Sequence, residues 1–174
     1  MSPDKTDPKR HVGMIPRCAK LLCALVLLAA VCRIHAATSP GHKHYVTWPP
    51  VEPDKSIAIW LMKTYVDPEA TFEFVRKGSS PTNGIAFDIP GSVYIRNHRR
   101  CASEIVIHRH HIEDAKATAL GALARKMEMN FWYATYTERE QPLADALMKL
   151  WQSDKQPEEV LEQALVILDE WQPQ

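Results

Sequence analysis

The fold of this chain is constrained most by a change in apolar spacing near residue 110. Upstream, apolar residues come in short runs, whereas downstream they recur every three or four residues, which is typical of amphipathic helices. This spacing predicts a helix over about 113–130. Pro142 and Pro157 stand where proline fits the first turn of two further helices, so we expect the second half of the chain to be helical.

The first half is expected to supply a small sheet. Short runs rich in β-branched and aromatic residues predict strands over 45–48, 72–75, 85–87, 93–95 and 105–107. Asp54 is a suitable N-cap for one helix over about 55–65, and Trp60 on its apolar stripe is expected in the core. The predicted fold class is α+β, with a small antiparallel or mixed sheet followed by and packed with several helices.

The N-terminal segment has the pattern of a secretory signal peptide. Residues 21–32 are uninterruptedly apolar, basic residues precede them, and Ala36 offers a cleavage site. We predict a signal peptide over 1–36, a flexible arm over 37–53 and a domain over 54–174, in a periplasmic or secreted protein with no membrane segment after cleavage. Met14 is an alternative start to Met1. An uncleaved anchor and a lipoprotein are the alternative interpretations.

Charge and cysteine content narrow the function classes. Of the 21 basic and 21 acidic residues, six basic and two acidic ones lie in 1–36, so 15 and 19 remain and the mature charge is near −4. That balance is not the footprint of a nucleic-acid-binding protein. Cys101 is the one cysteine after residue 36, so the mature chain has no internal disulfide and its fold depends on its core or on a metal.

A basic segment between two predicted strands is the first candidate site. Arg96, Arg99 and Arg100 offer planar donor groups that suit oxyanions, and Lys55 near a helix start adds charge. Cys101 follows these arginines, and neighbouring cations would lower its pKa and make it reactive. The alternatives are a solvated loop that pairs with acidic residues, and a buried cysteine that packs as a small apolar residue.

The same segment also offers donors for a metal. Asp88, His98, Cys101 and Glu104 combine oxygen, nitrogen and sulfur donors, which would suit zinc or another first-row divalent ion. Their spacing matches no compact zinc signature. The sequence also lacks the motifs of common hydrolases and nucleotide enzymes, so we assign no catalytic residue.

Several short motifs carry a resemblance to a known family. They are V-T-W at 46–48, A-I-W-L-M at 58–62 after Asp54 and Lys55, Y-V-D-P-E-A at 65–70, T-F-E-F-V at 71–75, F-D-I-P-G at 87–91, and C-x-x-E at 101–104. From about Tyr45 to Tyr133 the chain resembles the C-terminal domain of the ChrB family, the chromate-resistance proteins, in an exported and stand-alone form. The resemblance implies a role in tolerance to chromate, a tetrahedral oxyanion.

Two departures from the family pattern affect this expectation. Arg96 stands where the pattern has a histidine, and the segment 127–130 keeps Glu128 but lacks a second acid. If family members coordinate a metal with those groups, this chain has lost two ligands, and Arg96 favours anion binding over metal. Family members with two domains carry a DNA-binding part that regulates resistance genes. The predicted signal peptide stands in its place here, so we do not carry regulation over.

The sequence therefore supports one leading hypothesis and two alternatives. The leading hypothesis is a protein that binds or senses chromate or a similar oxyanion in the periplasm through the three arginines, with the thiol nearby, and that is not a classical enzyme. The first alternative is a metal- or thiol-dependent redox protein that acts on Cr(VI). The second is a non-catalytic interaction domain.

Overall fold

A three-stranded sheet and five α-helices make up the structure, a computed structural model that describes residues 42–130 and 132–173. The strands are β1 (His44–Thr47), β2 (Thr71–Phe74) and β3 (Ile85–Ala86). The helices are α1 (Pro53–Leu61), α2 (Ala102–Arg109), α3 (Ala115–Glu128), α4 (Glu140–Trp151) and α5 (Pro157–Glu170). The predicted α+β class and the helices begun near Pro142 and at Pro157 are confirmed.

The sheet is parallel, in the order β2-β1-β3. Tyr45 of β1 pairs with Phe72 of β2 and with Ile85 of β3, both in parallel register. The prediction of an antiparallel or mixed sheet is therefore wrong. The reason is that α1 lies in the connection between β1 and β2 and brings the chain back to the end of the sheet where β1 began, as parallel neighbours require.

Two predicted strands do not form. Residues 93–95 lie in turns and irregular backbone, and the β-branched run 105–107 belongs to α2. A capping box in which Cys101 and Glu104 satisfy each other's backbone groups starts this helix, and Ala102 and Val106, four residues apart, form its buried face. A short apolar run does not by itself distinguish a strand from a buried helical turn.

The part of the predicted flexible arm that the structure describes, residues 42–53, includes a strand of the sheet. β1 is the central strand, and Tyr45 and Val46 are buried, so the segment from His44 onward belongs to the folded domain. The predicted signal peptide over 1–36 lies outside the described residues. Within 42–130 and 132–173, no helix is both long enough and apolar enough to cross a membrane.

Helix α1 is the centre of the core and positions the site. All nine of its residues are buried, and it packs against α2, α3, α4 and α5. It was predicted over 55–65 and continues past Leu61 as a π-helical turn, Met62–Val66. Trp60 lies in the core, and its Nε1 donates a hydrogen bond to Asp169 on α5 at 2.6 Å. Because α1 is wholly buried, the charged residues of its first turn face the interior.

Candidate functional site

Arg96 lies at the centre of a cluster of carboxylates. Its Nη1 donates to Glu128 Oε2 at 3.0 Å, and its Nη2 donates to Glu52 and, at 3.3 Å, to Asp88 Oδ2. Burial alone would lower the pKa of Arg96, but Asp88 and Glu52 raise it above its ordinary value. The guanidinium is therefore charged, and three acidic side chains already balance that charge.

Lys55 does not take the predicted place in an anion site. Its side chain is buried, and Nζ donates to the backbone carbonyls of Trp48 at 2.6 Å and Pro50 at 3.1 Å. The same atom lies 3.6 Å from Asp88 Oδ2. Burial lowers the pKa of Lys55, and Asp88 and Glu52 oppose that shift. Its ammonium group holds the segment before α1, so it is not available to an incoming anion.

Asp88 combines backbone strain with an unsatisfied oxygen. Its φ is 49°, in the left-handed region that Asp adopts more readily than most residues. Its Oδ2 contacts Lys55 and Arg96, whereas its buried Oδ1 has no hydrogen-bond partner among the described residues. Asp88 therefore belongs to the cluster around Arg96, where cations compensate its charge.

Asp54 connects two helices at the site. It was predicted to cap α1, but α1 begins at Pro53, and the Asp54 carboxylate instead accepts the backbone N–H groups of Ala102 at 2.7 Å and Ser103 at 2.9 Å. Burial raises the pKa of Asp54, and these hydrogen bonds partly offset the shift. Asp54 thus fixes the start of α2, directly after the basic segment.

Cys101 is buried and protonated, contrary to the prediction of a reactive thiolate. Cys101 is 1% exposed, and its Sγ donates a hydrogen bond to Glu104 Oε2 at 3.2 Å. Burial raises the pKa of the thiol above its ordinary value, and the negative charge of Asp54 adds to the shift. The prediction of a lowered thiol pKa is therefore wrong.

Glu104 is held by Arg125 of α3. Arg125 Nε donates to Glu104 Oε1 at 2.6 Å, and Arg125 Nη2 donates to Oε2 at 2.8 Å. Arg125 Nη2 also donates to the backbone carbonyl of Arg99 at 2.7 Å. Burial would raise the pKa of Glu104, but the bonds from Arg125 and Cys101 outweigh it and lower that pKa. This ion pair fixes the basic segment to α3.

The residues predicted as metal ligands are not gathered into one site. Cys101 and Glu104 contact each other, but Asp88 is bonded to Lys55 and Arg96, and His98 is exposed. Across 42–130 and 132–173, no group of three or more His, Cys, Asp or Glu side chains is arranged to hold a metal ion. The predicted donor set therefore does not fit a first-row divalent ion.

Two cavities lie beside the basic segment. The cysteine cavity, of about 270 Å³, is lined by Arg96, Asn97, Arg100, Cys101, Glu128 and Met129. The helix cavity, of about 320 Å³, is lined by Arg100, Glu104, Ile107, His108, Thr118, Gly121, Ala122 and Arg125. Arg100 lines both and forms no ion pair with another described residue, whereas Arg99 is exposed and lines neither. The structure therefore brings Arg96, Arg100 and Cys101 together and leaves Arg99 outside.

Comparison with known families identifies the domain. The family model described as ChrB, C-terminal domain, matches residues 45–173. The chain belongs to the ChrB C-terminal domain family. It is thus a chromate-resistance-related protein, and the match extends through α4 and α5. None of the curated proteins and none of the solved structures compared with this ChrB-family chain matches it.

Sequence reasoning missed two residues that organise the candidate site of this ChrB-family domain. Glu52, which binds Arg96, lies in a proline-rich segment, and Arg125, which holds Glu104, lies on an ordinary helical face. Neither belongs to a local motif, since their partners are 44 and 21 residues away. The helix that carries Glu104 could have been predicted, because C-x-x-E at 101–104 has the spacing of a capping box.

Proposed function

We propose that this ChrB-family chain binds an oxyanion, chromate or a chemically similar ion, in the cysteine cavity. The observation that supports this most is that Arg96, Arg100 and Cys101 line one cavity and that Arg100 has no ion-pair partner among the described residues. An unpaired guanidinium at a concave site provides charge and two parallel donors for a tetrahedral anion. Arg100 is therefore the principal anion-binding residue in this proposal.

The other lining groups complete a set of donors. Asn97 uses its Oδ1 to accept the backbone N–H groups of Arg99 and Arg100, at 2.9 and 3.1 Å, which leaves its amide N–H groups as donors. Arg96 uses both N–H groups of Nη2 and one of Nη1 for carboxylates, so Nε–H and the second Nη1 N–H are the donors that it has left. Because Arg96 is already neutralised, it orients the anion more than it attracts it.

The state of Cys101 favours binding over reduction of the anion. A thiolate is the form that donates electrons to an oxidant, and burial keeps this thiol protonated. The single thiol hydrogen is directed at Glu104, so Cys101 forms part of the inner wall of the cavity and is not counted among the donors to the anion. The protein is accordingly a binding or sensing domain in this proposal, and the raised pKa of the buried thiol argues against the redox alternative.

Calorimetric titration of the purified protein with chromate, phosphate, sulfate and molybdate tests the proposal. Arg100→Ala should weaken binding about tenfold or more, since a hydrogen bond to a charged group contributes about 1.5 to 3 kcal/mol. Arg76→Ala, which removes an exposed arginine after β2, is the matched control and should leave affinity unchanged. Absence of saturable heat with every anion, or unchanged affinity in Arg100→Ala, would reject the proposal.

Export is a separate part of the proposed function. The apolar run 21–32 and the small residues near Ala36 support secretion with cleavage before Ala37. The charge near −4 that remains after residue 36 argues against a nucleic-acid partner. N-terminal sequencing of protein recovered from the periplasmic or extracellular fraction should begin at or near Ala37. Recovery of the intact N-terminus in the cytoplasm would contradict export.

A further inference from the structure

The cysteine cavity contains an acidic side chain that simple anion binding does not require. Glu128, the last residue of α3, lines the cavity together with Arg96 and Arg100, and its side chain is 19% exposed. Its Oε2 accepts from Arg96 Nη1 at 3.0 Å. An anion bound by Arg100 in this cavity therefore lies next to a carboxylate.

We infer that Glu128 selects oxyanions that carry a proton, such as hydrogen chromate and hydrogen phosphate, over fully ionised ones such as sulfate. The inference depends on the proposed function, because it names the class of anion that the cysteine cavity accepts. It follows from the position of Glu128 among the groups that would touch the ligand.

A shared proton removes the conflict between the two negative groups. A carboxylate and a fully ionised oxyanion repel each other at contact distance, whereas an O–H group on the anion donates a short, charge-assisted hydrogen bond to the carboxylate. No covalent bond changes other than the position of that proton between two oxygens. Sulfate has no proton to share near neutral pH, whereas chromate retains one in part and phosphate retains at least one.

The surroundings of Glu128 do not supply enough positive charge to let a fully ionised anion bind without a shared proton. Arg96, its bonded cation, also binds Glu52 and Asp88. From α1, Asp54 adds a further negative charge near Glu128. Lys55, which lies 3.6 Å from Asp88 Oδ2, and Arg100 are the other cations here, and Cys101 is neutral. Among the described residues, four carboxylates therefore face three cations around the ligand position.

Burial of Glu128 affects how the shared proton is held. Burial raises the pKa of Glu128, and Asp54 and Glu52 add to that shift while Arg96 opposes it. A carboxyl with a raised pKa is the better partner for a shared proton, because its affinity for protons is closer to that of the anion. The Glu128 carboxyl and the bound anion therefore hold one proton between them, which is absent when both groups are fully ionised.

The test compares anions of similar shape and different proton content on the unaltered protein. At pH 7, phosphate and chromate should bind at least tenfold more tightly than sulfate and molybdate. Between pH 8 and 9 the apparent affinity for chromate should fall towards tenfold per pH unit as chromate loses its proton, whereas phosphate, which keeps one, should change by less than threefold.

Glu128→Gln should remove this selectivity. The amide donates to a fully ionised oxyanion, so sulfate affinity should rise at least tenfold and the pH dependence for chromate should flatten. Glu162→Gln, an exposed residue of α5, is the matched control and should keep the selectivity of the unaltered protein. The fold should tolerate the change at Glu128, because Arg96 keeps Glu52 and Asp88 as partners.

The outcomes separate this inference from the proposed function. If no oxyanion binds, both are overturned. If sulfate binds the unaltered protein as tightly as phosphate, or Glu128→Gln leaves the phosphate-to-sulfate ratio unchanged, the selection by Glu128 is overturned while oxyanion binding stands. If Glu128→Gln does not fold, the anion series and the pH series on the unaltered protein decide the matter alone.

Discussion

The Asp54 carboxylate of α1 accepts the backbone N–H of Ala102, the first residue of α2, at 2.7 Å. Because Asp54 is fully buried, this bond fixes the position of α2 relative to the central helix. Cys101, which lines the cysteine cavity, immediately precedes Ala102. The geometry of the cavity therefore depends on a residue that does not line it.

Asp54→Asn should destabilise the fold. The amide offers one acceptor oxygen where the carboxylate offers two, and it introduces N–H donors into a buried position, so we expect a loss of about 2 kcal/mol or more. The free energy of unfolding in urea measures the change. Asp154→Asn, at an exposed position, should stay within about 0.5 kcal/mol of the unaltered protein. Equal effects of the two substitutions would count against the proposed role of Asp54.

Cys101 should resist thiol reagents in the folded protein. Burial and the nearby Asp54 charge raise the pKa of the thiol, so neither access nor thiolate is available at pH 8. Reaction with a colorimetric disulfide reagent should be at least a hundredfold slower in buffer than in concentrated urea. The measurement should use protein that lacks residues 1–36 after export, because Cys18, Cys23 and Cys32 would also react. A rapid, stoichiometric reaction of the folded protein would contradict the buried position.

Glu104→Gln should reduce stability at neutral pH and flatten the acid limb of the stability profile. Burial would raise the folded-state pKa of Glu104, but hydrogen bonds from Arg125 and Cys101 lower it. The ionised carboxylate therefore stabilises the fold at pH values above the unfolded-state pKa of about 4.3. That contribution is lost as pH falls through the folded-state pKa. Because the pair is partly exposed, we expect a loss of about 1 kcal/mol at pH 7. The free energy of unfolding in urea, measured at pH 7 and pH 4, tests this prediction. It is contradicted if the difference between the two pH values is the same in Glu104→Gln as in the unaltered protein.

Gly84 and Gly121 provide a matched pair of substitutions. A Cβ on Gly84 would meet Val46 Cγ2 at 2.7 Å and the backbone oxygen of His44 at 3.0 Å, so Gly84→Ala should cost about 1 to 3 kcal/mol by forcing the sheet apart. A Cβ on Gly121 would meet the terminal Cδ1 of Ile107 at 2.7 Å, which can rotate away. Because alanine also favours the helix by about 1 kcal/mol, Gly121→Ala should be close to neutral. Thermal unfolding of both variants measures the contrast, and a larger loss at Gly121 would contradict it.

Elements with strong local signals were predicted correctly. The helices over 115–128, 140–151 and 157–170 have long apolar periodicity, and the last two have a proline in the first turn. The run 105–107 was misassigned because three β-branched residues suit either state, and the burial of Val106 against α1 decides between them. Strand direction was misassigned because short strands carry no local signal of orientation.

The candidate site was predictable in its location but not in its electrostatics. The clustering of Arg96, Arg100 and Cys101 followed from their closeness in sequence. The pKa of Cys101 did not, because it is governed by burial and by Asp54, which lies 47 positions earlier in the chain. The neutralisation of Arg96 by Glu52, Asp88 and Glu128 likewise depends on contacts between distant segments.

The central place of β1 has a consequence for how the polypeptide is made. β1 comes first in the described chain, yet both of its neighbours are supplied later, up to Ala86. A nascent chain leaving the ribosome therefore cannot close the sheet until roughly half of its length has emerged, since the pairing contacts are distant in sequence. During that interval at least one edge of β1 lacks the strand that pairs with it in the folded protein.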